Sequence, residues 1–318
     1  MTPREDRPAH SDLRHRNRQQ RLEARVAAKP KAKTKKAAAS GVEDAVTSSA
    51  LVVGIGPGLC FASMEADPSG ELHNVRCDLQ VVPGDVISIK RGKVSAIAPR
   101  RTVLSRADPA NPNRDLLIAA NIDILVIVAA VADPPFRPGL VDRYLVAAAR
   151  AGITPILCLN KIDLDHGEDI AAVFQIPTVR CSAATGRGID ELSDLLAGNL
   201  AVFAGHSGVG KSSLLNALAG ENHARTGIVG DVTRRGRQTT TSSRLYQLPN
   251  GARIIDTAGI REFGLGRLTL AELRDVFPDF HAQGCRFSDC THRHEPGCPV
   301  RAAGGDRYAD YLRLASDL

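Results

Sequence analysis

The chain holds 318 residues, 43% hydrophobic and 24% charged, a composition ordinary for a soluble globular protein with room for two or three domains. It contains no run of about 18 apolar residues and no apolar signal core near its start, so neither a membrane partner nor export is expected and the cytoplasm is the expected location. The formal charge of +6 is localised, because residues 1–40 carry 12 Lys/Arg against 4 Asp/Glu while the remainder is close to neutral.

Residues 1–48 lack aromatic side chains and hold few large aliphatics, so burial cannot offset their ordering entropy and a disordered basic arm is expected. Such an arm either binds a polyanion, releasing counterions with each phosphate contact, or only solvates the chain. Residues 49–107 alternate short apolar stretches with Gly, Pro and Asp, as in "LVVGIGPGLCFASM" and "VVPGDVISIK", the pattern of a small β-barrel. An OB-like barrel fits the length, and an SH3-like barrel fits the composition equally well. Residues 105–115, "SRADPANPNRD", read as a connection rich in Pro and Asn.

Residues 108–264 change texture. "IDILVIVAAV", "TPILCLN", "PTVRCSA" and "LAVFAG" are strands buried on both faces, and "GLVDRYLVAAARAG" and "GIDELSDLLAG" between them are helices. This alternation specifies an α/β domain with a parallel-type sheet. In residues 265–318, "LTLAELRDVFPDF" and "DRYADYLRLASDL" read as helices on either side of a Cys/His cluster. The expected architecture is multidomain: a basic arm (1–48), an OB-like barrel (49–107), an α/β P-loop domain (108–264) and a mainly helical zinc-binding domain (265–318).

The motifs carry the chemistry. Gly205, His206, Ser207, Gly208, Val209, Gly210, Lys211 and Ser212 satisfy G-x-x-x-x-G-K-[ST] between a strand and a helix. Backbone N–H groups of such a loop surround phosphate oxygens, Lys211 reaches the β- and γ-phosphates, and the Ser212 hydroxyl ligates Mg²⁺. Lysine is scarce after Lys36, and two of the four that remain, Lys161 and Lys211, fall in nucleotide motifs. Asp256-Thr257-Ala258-Gly259 follows a strand, which puts the Asp256 carboxylate on Mg²⁺ and the Gly259 N–H on the γ-phosphate. Asn160-Lys161-Ile162-Asp163 closes another strand. The Asp163 carboxylate can accept both N1–H and N2–H₂ of guanine, a donor pair that adenine lacks. Ser182, Ala183 and Ala184 end a further strand and fit the backbone that meets guanine O6.

Between phosphate loop and DTAG lies "GRQTTT", the place of a first switch, where Thr240 or Thr241 can close over Mg²⁺ and the γ-phosphate. Many GTPases orient the attacking water with a glutamine directly after DxxG. That position is Ile260, which can neither donate nor accept, so the water-orienting amide is assigned to Gln238 or to a partner, and slow intrinsic hydrolysis is expected. Cys285, Cys290, His292 and Cys298 offer three thiolates and one imidazole within fourteen residues, suited to closed tetrahedral structural zinc, with His294 as a competing ligand. Cys60, Cys77, Cys158 and Cys181 sit in apolar surroundings and are expected to be buried reduced thiols.

Taken together, the arm, the barrel, NKID placed before "GHSGVGKSSLLNAL", "GRQTTT", "DTAGIREFG" and "CRFSDCTHRHEPGCPV" resemble the circularly permuted small-subunit-dependent GTPases, the RsgA or YjeQ family, over nearly the whole chain. The resemblance implies an OB-fold domain, a permuted GTPase domain and a zinc domain. It also implies binding of GTP/GDP with Mg²⁺, one structural Zn²⁺, and a partner in the small ribosomal subunit and its rRNA, whose late maturation the family assists and which stimulates hydrolysis. Carried over by position, guanine contacts fall on Asn160, Lys161, Ile162 and Asp163, and phosphate contacts run from Gly205 to Ser213. A monomer is expected. Two departures stand out: Gln238 where the family usually has His, and Ala258 where it usually has Pro. Both bear on stimulated turnover, which keeps a non-hydrolysing GTP-dependent RNA-binding module as an alternative. A P-loop ATPase is disfavoured by NKID.

Overall fold

The computed structural model describes residues 48–64, 71–108, 111–167, 170, 173–223, 225–228, 243–257, 269–281 and 284–316. Residues 1–47 of the expected arm, Gln238, Thr240, Thr241, Ala258, Gly259 and Ile260 lie outside these residues, and Ser48, expected to end the arm, opens the first strand. No helix among the described residues is long and apolar enough to cross a membrane.

Strands β1 (Ser48–Gly56), β2 (Leu59–Met64), β3 (Leu72–Arg76), β4 (Val86–Lys90) and β5 (Lys93–Ile97) close into a barrel in the order β1-β2-β3-β5-β4. The parallel β3–β5 contact and the antiparallel β1–β4 closure are those of an OB-like barrel. Strand β1 is buried on both faces, which explains why "ALVV" is unbroken by polar residues. With a period of two, Ala50 and Val52 enter the barrel core beside Cys60, Ala62 and Ile87. Leu51 and Val53 enter a different core, shared with Leu104, Ile118, Ile122 and Leu125.

The segment expected as a connection forms a paired hairpin. β6 (Val103–Asp108) and β7 (Asn111–Ala120) run antiparallel, with register shifts at Leu104/Ser105 and Ala107/Asp108. Each strand of a two-stranded sheet keeps an open edge, where Pro112 can sit without breaking a ladder. Asn121 then locks hairpin to barrel. It is buried with φ 57°, its Nδ2 donates to Gly84 O (2.9 Å), and its Oδ1 accepts from Arg101 N (2.8 Å). Gly84 itself has φ +90°, and a Cβ there would lie 1.8 Å from the Ala120 carbonyl oxygen.

The central sheet comprises β8 (Ile124–Ala130), β9 (Thr154–Asn160), β10 (Thr178–Arg180), β11 (Leu200–Ala204), β12 (Arg225–Ile228), β13 (Ser243–Gln247) and β14 (Arg253–Thr257), in the order β10-β9-β8-β11-β14-β13-β12. The five strands from β10 to β14 in that order are parallel, as expected. The edge pair β13 and β12 is antiparallel, because β13 turns back into β14 over five residues, too few for the crossover a parallel pair requires. Helix α1 (Pro138–Ala151) covers one face, and α2 (Ile189–Leu196) and α3 (Lys211–His223) the other. Helix α1 starts with proline at its first turn and ends at Gly152 (φ 67°), whose N–H bonds Ala148 O and Ala149 O.

Among the described residues four helices follow: α4 (Leu270–Val276), α5 (Pro278–His281), α6 (Pro299–Ala303) and α7 (Asp306–Ala315). "LTLAELRDVFPDF" was expected as one helix. Pro278 disfavours a helical Phe277 and splits it into α4 and α5. A capping box between Thr269 and Glu272 starts α4, and Glu272 also pairs with Arg150 of α1 at 2.5 Å. Leu273, Val276, Phe277, Tyr311 and Leu314 join the core around Val141, Tyr144 and Leu145 of α1. The four cysteines outside the metal cluster are buried and free, as expected.

Arg307 of α7 pins this contact. Its guanidinium pairs with the fully buried Asp142 of α1 and lies 4.1 Å from the Phe277 ring centroid and 5.0 Å from that of Phe174. Burial pushes the Asp142 carboxyl up to about 6, against the opposing pull of Arg307. Arg307→Ala leaves a buried carboxylate unpaired and is expected to cost about 3 kcal/mol of stability, read from denaturant melts. Because the folded pKa lies above the unfolded one, the stabilising share of Asp142 is complete below about pH 4 and is lost as pH rises through about 6. The melting temperature of the native chain minus that of Asp142→Asn is therefore expected to fall between about pH 4 and pH 6.

Candidate nucleotide and metal sites

The sequence motifs converge at the C-terminal ends of adjacent parallel strands, where ligands of open α/β sheets are held. β11 runs into the loop 205–210, β9 ends at Asn160, β10 precedes Ser182, and β14 carries Asp256 beside the loop. The glycines of the loop are required by contact. A Cβ on Gly205 would lie 2.2 Å from Val128 O, and one on Gly210 (φ +91°) would lie 2.3 Å from Asn160 Nδ2. Val209 is buried, while Ser207, Gly208, Ser212 and Ser213 face solvent. Lys211 begins α3 and folds its Nζ over the loop, donating to Gly205 O and His206 O at 2.7 Å each. His206 Nδ1 lies 2.7 Å from Ser207 O.

Asn160 joins the motifs. Only 2% exposed, it donates from Nδ2 to Val209 O in the phosphate loop (2.9 Å) and accepts at Oδ1 from Ala183 N (3.1 Å). Ser182, fully buried, donates from Oγ to Asp163 Oδ1 (2.6 Å) and accepts from Thr185 N (3.2 Å). The Asp163 carboxylate, exposed and acceptor-only, is thereby held at the mouth of the site. Lys161 adopts φ 67° and its Nζ donates to the Asp133 carbonyl oxygen. Ile162 is buried and its N–H bonds Cys181 O (3.2 Å). Sequence reasoning gave the motif residues their ligand roles but missed Asn160 as the bridge, Ser182 as the orienter of Asp163, and Asp133 as the partner of Lys161. The only signal for these was the expectation that a buried amide or hydroxyl finds partners.

Cys285, Cys290, His292 and Cys298 bring their donor atoms within 4.8 Å of one another. His292 Nδ1 lies 3.4 Å from each of the three sulfurs, and Cys285 and Cys298 Sγ are 4.0 Å apart. Tetrahedral zinc, with bonds of about 2.1–2.3 Å, sets its ligands about 3.5–3.8 Å apart, so the set fits. Burial pushes the Cys290 thiol up to about 12, and a divalent cation amid the cluster would reverse that preference and hold thiolates. His294 is exposed and stands outside the group. Tyr308 Oη and Tyr311 Oη donate to His292 O and Thr291 O at 2.7 Å, tying α7 to the ligand loop. Native mass spectrometry is expected to find one zinc per chain. Cys290→Ser should release it and speed amide exchange across α4 and α7, with little change over β8 to β11.

Residues 97–266 match the RsgA GTPase family. The small ribosomal subunit biogenesis GTPase RsgA of Chlorobaculum tepidum is 39% identical over 306 residues, 88% of this chain and 98% of that protein. Its namesake from Photorhabdus laumondii is 42% identical over 246 residues, 71% and 69% of the two chains. YjeQ from Thermotoga maritima superposes with a TM-score of 0.63 at 26% identity, covering 86% of this chain and 99% of that one. YloQ, described as a circularly permuted GTPase, shares the fold with a TM-score of 0.57 at 23% identity, over 88% of this chain and 97% of that one. With its NKID-bearing strand ahead of its G-x-x-x-x-G-K-S loop and these relatives spanning most of its length, the chain belongs to the RsgA family of circularly permuted GTPases.

Proposed function

We propose that this GTPase binds the small ribosomal subunit through its rRNA, assists late maturation of that subunit, and turns over GTP faster when bound to it. The observation that carries the nucleotide half is the Asn160 amide, which joins a guanine-reading strand to a phosphate loop and so commits both to one ligand. In this reading Asp163 selects guanine, with Asn160, Lys161, Ile162 and the 182–184 backbone around the base. Gly205 to Ser213 hold the phosphates, Lys211 neutralises developing charge, and Ser212, Thr241 and Asp256 serve Mg²⁺. Gly259 meets the γ-phosphate, and Gln238 with Thr240 completes the first switch. Zinc on Cys285, Cys290, His292 and Cys298 is structural. The working units are the arm (1–48), barrel (49–107), GTPase domain (108–264) and zinc domain (265–318), in a cytoplasmic monomer. The subunit half is supported by the relatives, small ribosomal subunit biogenesis GTPases by name, and by the localised basic charge of residues 1–40.

Ile260 favours a second reading, a GTP-dependent RNA-binding module that scarcely hydrolyses, since an alkyl side chain cannot orient water. GTP turnover titrated with purified small and large subunits separates the two. Stimulation by small subunits alone, by about 100-fold or more and largely lost in Gln238→Ala, is expected for a positioned water. Equal effects of both subunits, or none, would sink the subunit reading, and an unchanged Gln238→Ala would remove Gln238 from the chemistry.

A further inference from the structure

The chain is poor in aromatics, with eight Phe, four Tyr and no Trp. Among the described residues, every other Phe and Tyr is buried or partly buried, whereas Phe287 is 39% exposed. It lies in the loop between the first two metal-cluster ligands, Cys285 and Cys290. That loop is held on two sides: Arg274 of α4 donates to Ser288 O (2.8 Å), and Cys290 N donates to Phe287 O (3.2 Å). The Arg286 guanidinium lies 5.9 Å from the Phe287 ring centroid, within cation–π range. A second loop from the same cluster carries exposed Arg293 and His294. Its acidic member, Glu295, is turned inward, accepting from Thr291 N and Oγ1 (2.7 and 2.6 Å), Arg293 N (3.0 Å) and His294 N (3.2 Å).

Burial of Phe287 would be expected if it served the fold, because the cluster already recruits Phe280, Tyr308 and Val300 as its packing partners. A protein-docking site would require a contiguous apolar patch, yet the chain neighbours of Phe287 are Arg286, Ser288 and Asp289. The other exposed large hydrophobics, Ile55, Leu79, Leu164, Val173 and Leu312, belong to other elements. An exposed π-face beside a guanidinium, on a loop whose backbone is hydrogen-bonded in place and in polar and mostly basic surroundings, suits the face of an unpaired nucleobase.

We infer that Phe287, with Arg286 beside it, is a stacking platform for an unpaired base of single-stranded RNA. The inference rests on the proposed RNA-bearing partner and gives that partner a contact on the zinc-ligand loops. It predicts that binding depends on the π-face rather than on apolar bulk. Phe287→Leu keeps the bulk without the ring, and Phe287→Trp enlarges the ring.

The test uses the full zinc-loaded chain and fluorescence anisotropy with labelled oligo(A) and with an RNA hairpin lacking unpaired bases beyond its tight loop. Phe287→Ala and Phe287→Leu are expected to weaken oligo(A) binding by about 5- to 150-fold, the range for loss of one base–aromatic stack. Phe287→Trp should bind as well as or better than the native chain, and hairpin affinity should change little in any variant. Metal content and GTP affinity report the fold, and if Phe287→Ala loses zinc, the Leu and Trp variants carry the comparison. Equal oligo(A) affinity for the Leu variant and the native chain overturns the platform, and would point to an apolar protein contact. Co-sedimentation with small subunits separates the two layers. If the native chain sediments but oligo(A) affinity is the same in all variants, only the platform falls. If it fails to sediment at all, the subunit reading on which the platform rests falls with it.

Discussion

A single side-chain amide, that of Asn160, makes the nucleotide site one object. It is almost fully buried, so both its donor and its acceptor must be satisfied inside the protein. They are satisfied by Val209 of the phosphate loop and Ala183 after β10. Neither partner is a sequence neighbour, and the three segments come from three strands. An unpartnered buried amide costs about 1–3 kcal/mol, so these strands hold one relative height or the site is lost. Gly210 records the same demand from the other side, since any larger residue would displace the amide. The short Ser182–Asp163 hydrogen bond depends on that alignment in turn, because Ser182 directly precedes the residue that Asn160 anchors.

That constraint concerns heights in a sheet and is indifferent to chain order. The strand ends that carry the motifs are neighbours in space along β10-β9-β8-β11-β14, and all run the same way. Surface connections decide which is met first along the chain, and connections can be moved while buried contacts cannot. Placing the strands that lead into NKID and Ser182 before the glycine-rich loop frees the two ends of the domain. One end enters through Asn121, fixed to the barrel by hydrogen bonds on both sides of its amide. The other leads from β14 toward α4, fixed to α1 by the Arg150–Glu272 pair.

Much of this was legible in the sequence where chemistry is local. The phosphate loop, NKID, the buried parallel strands and the Cys/His spacing each depend on residues close together in the chain. The helix signals around α1 were equally local, with Pro138 opening it and Gly152 closing it. What escaped was non-local. No periodicity tells that β1 serves two cores, since a continuous apolar run says only that both faces are covered. "SRADPANPNRD" reads as a linker because Pro and Asn are poor strand formers, yet pairing across β6 and β7 overrides propensity. The Asp142–Arg307 pair spans 165 positions, and a buried aspartate inside an apolar helix gives no hint of its partner.

These non-local contacts also explain why the C-terminal region takes part in the GTPase fold. The metal cluster has a small core of its own, built from Cys290, Cys298 and Val300. Three such residues bury too little apolar surface to hold four helices, at about 25 cal/mol per Å². α4 and α7 instead lay Leu273, Phe277, Tyr311 and Leu314 against α1, the helix that follows β8. Tyr308 and Tyr311 then pass this anchorage on to the ligand loop through their hydroxyls. The loops that carry Phe287, Arg293 and His294 are therefore positioned twice, by the four ligand atoms and by a helix packed on the GTPase sheet. A surface fixed in that manner presents its exposed groups at little entropic cost on binding, a property required of a contact surface and not of a zinc knot that only stabilises itself.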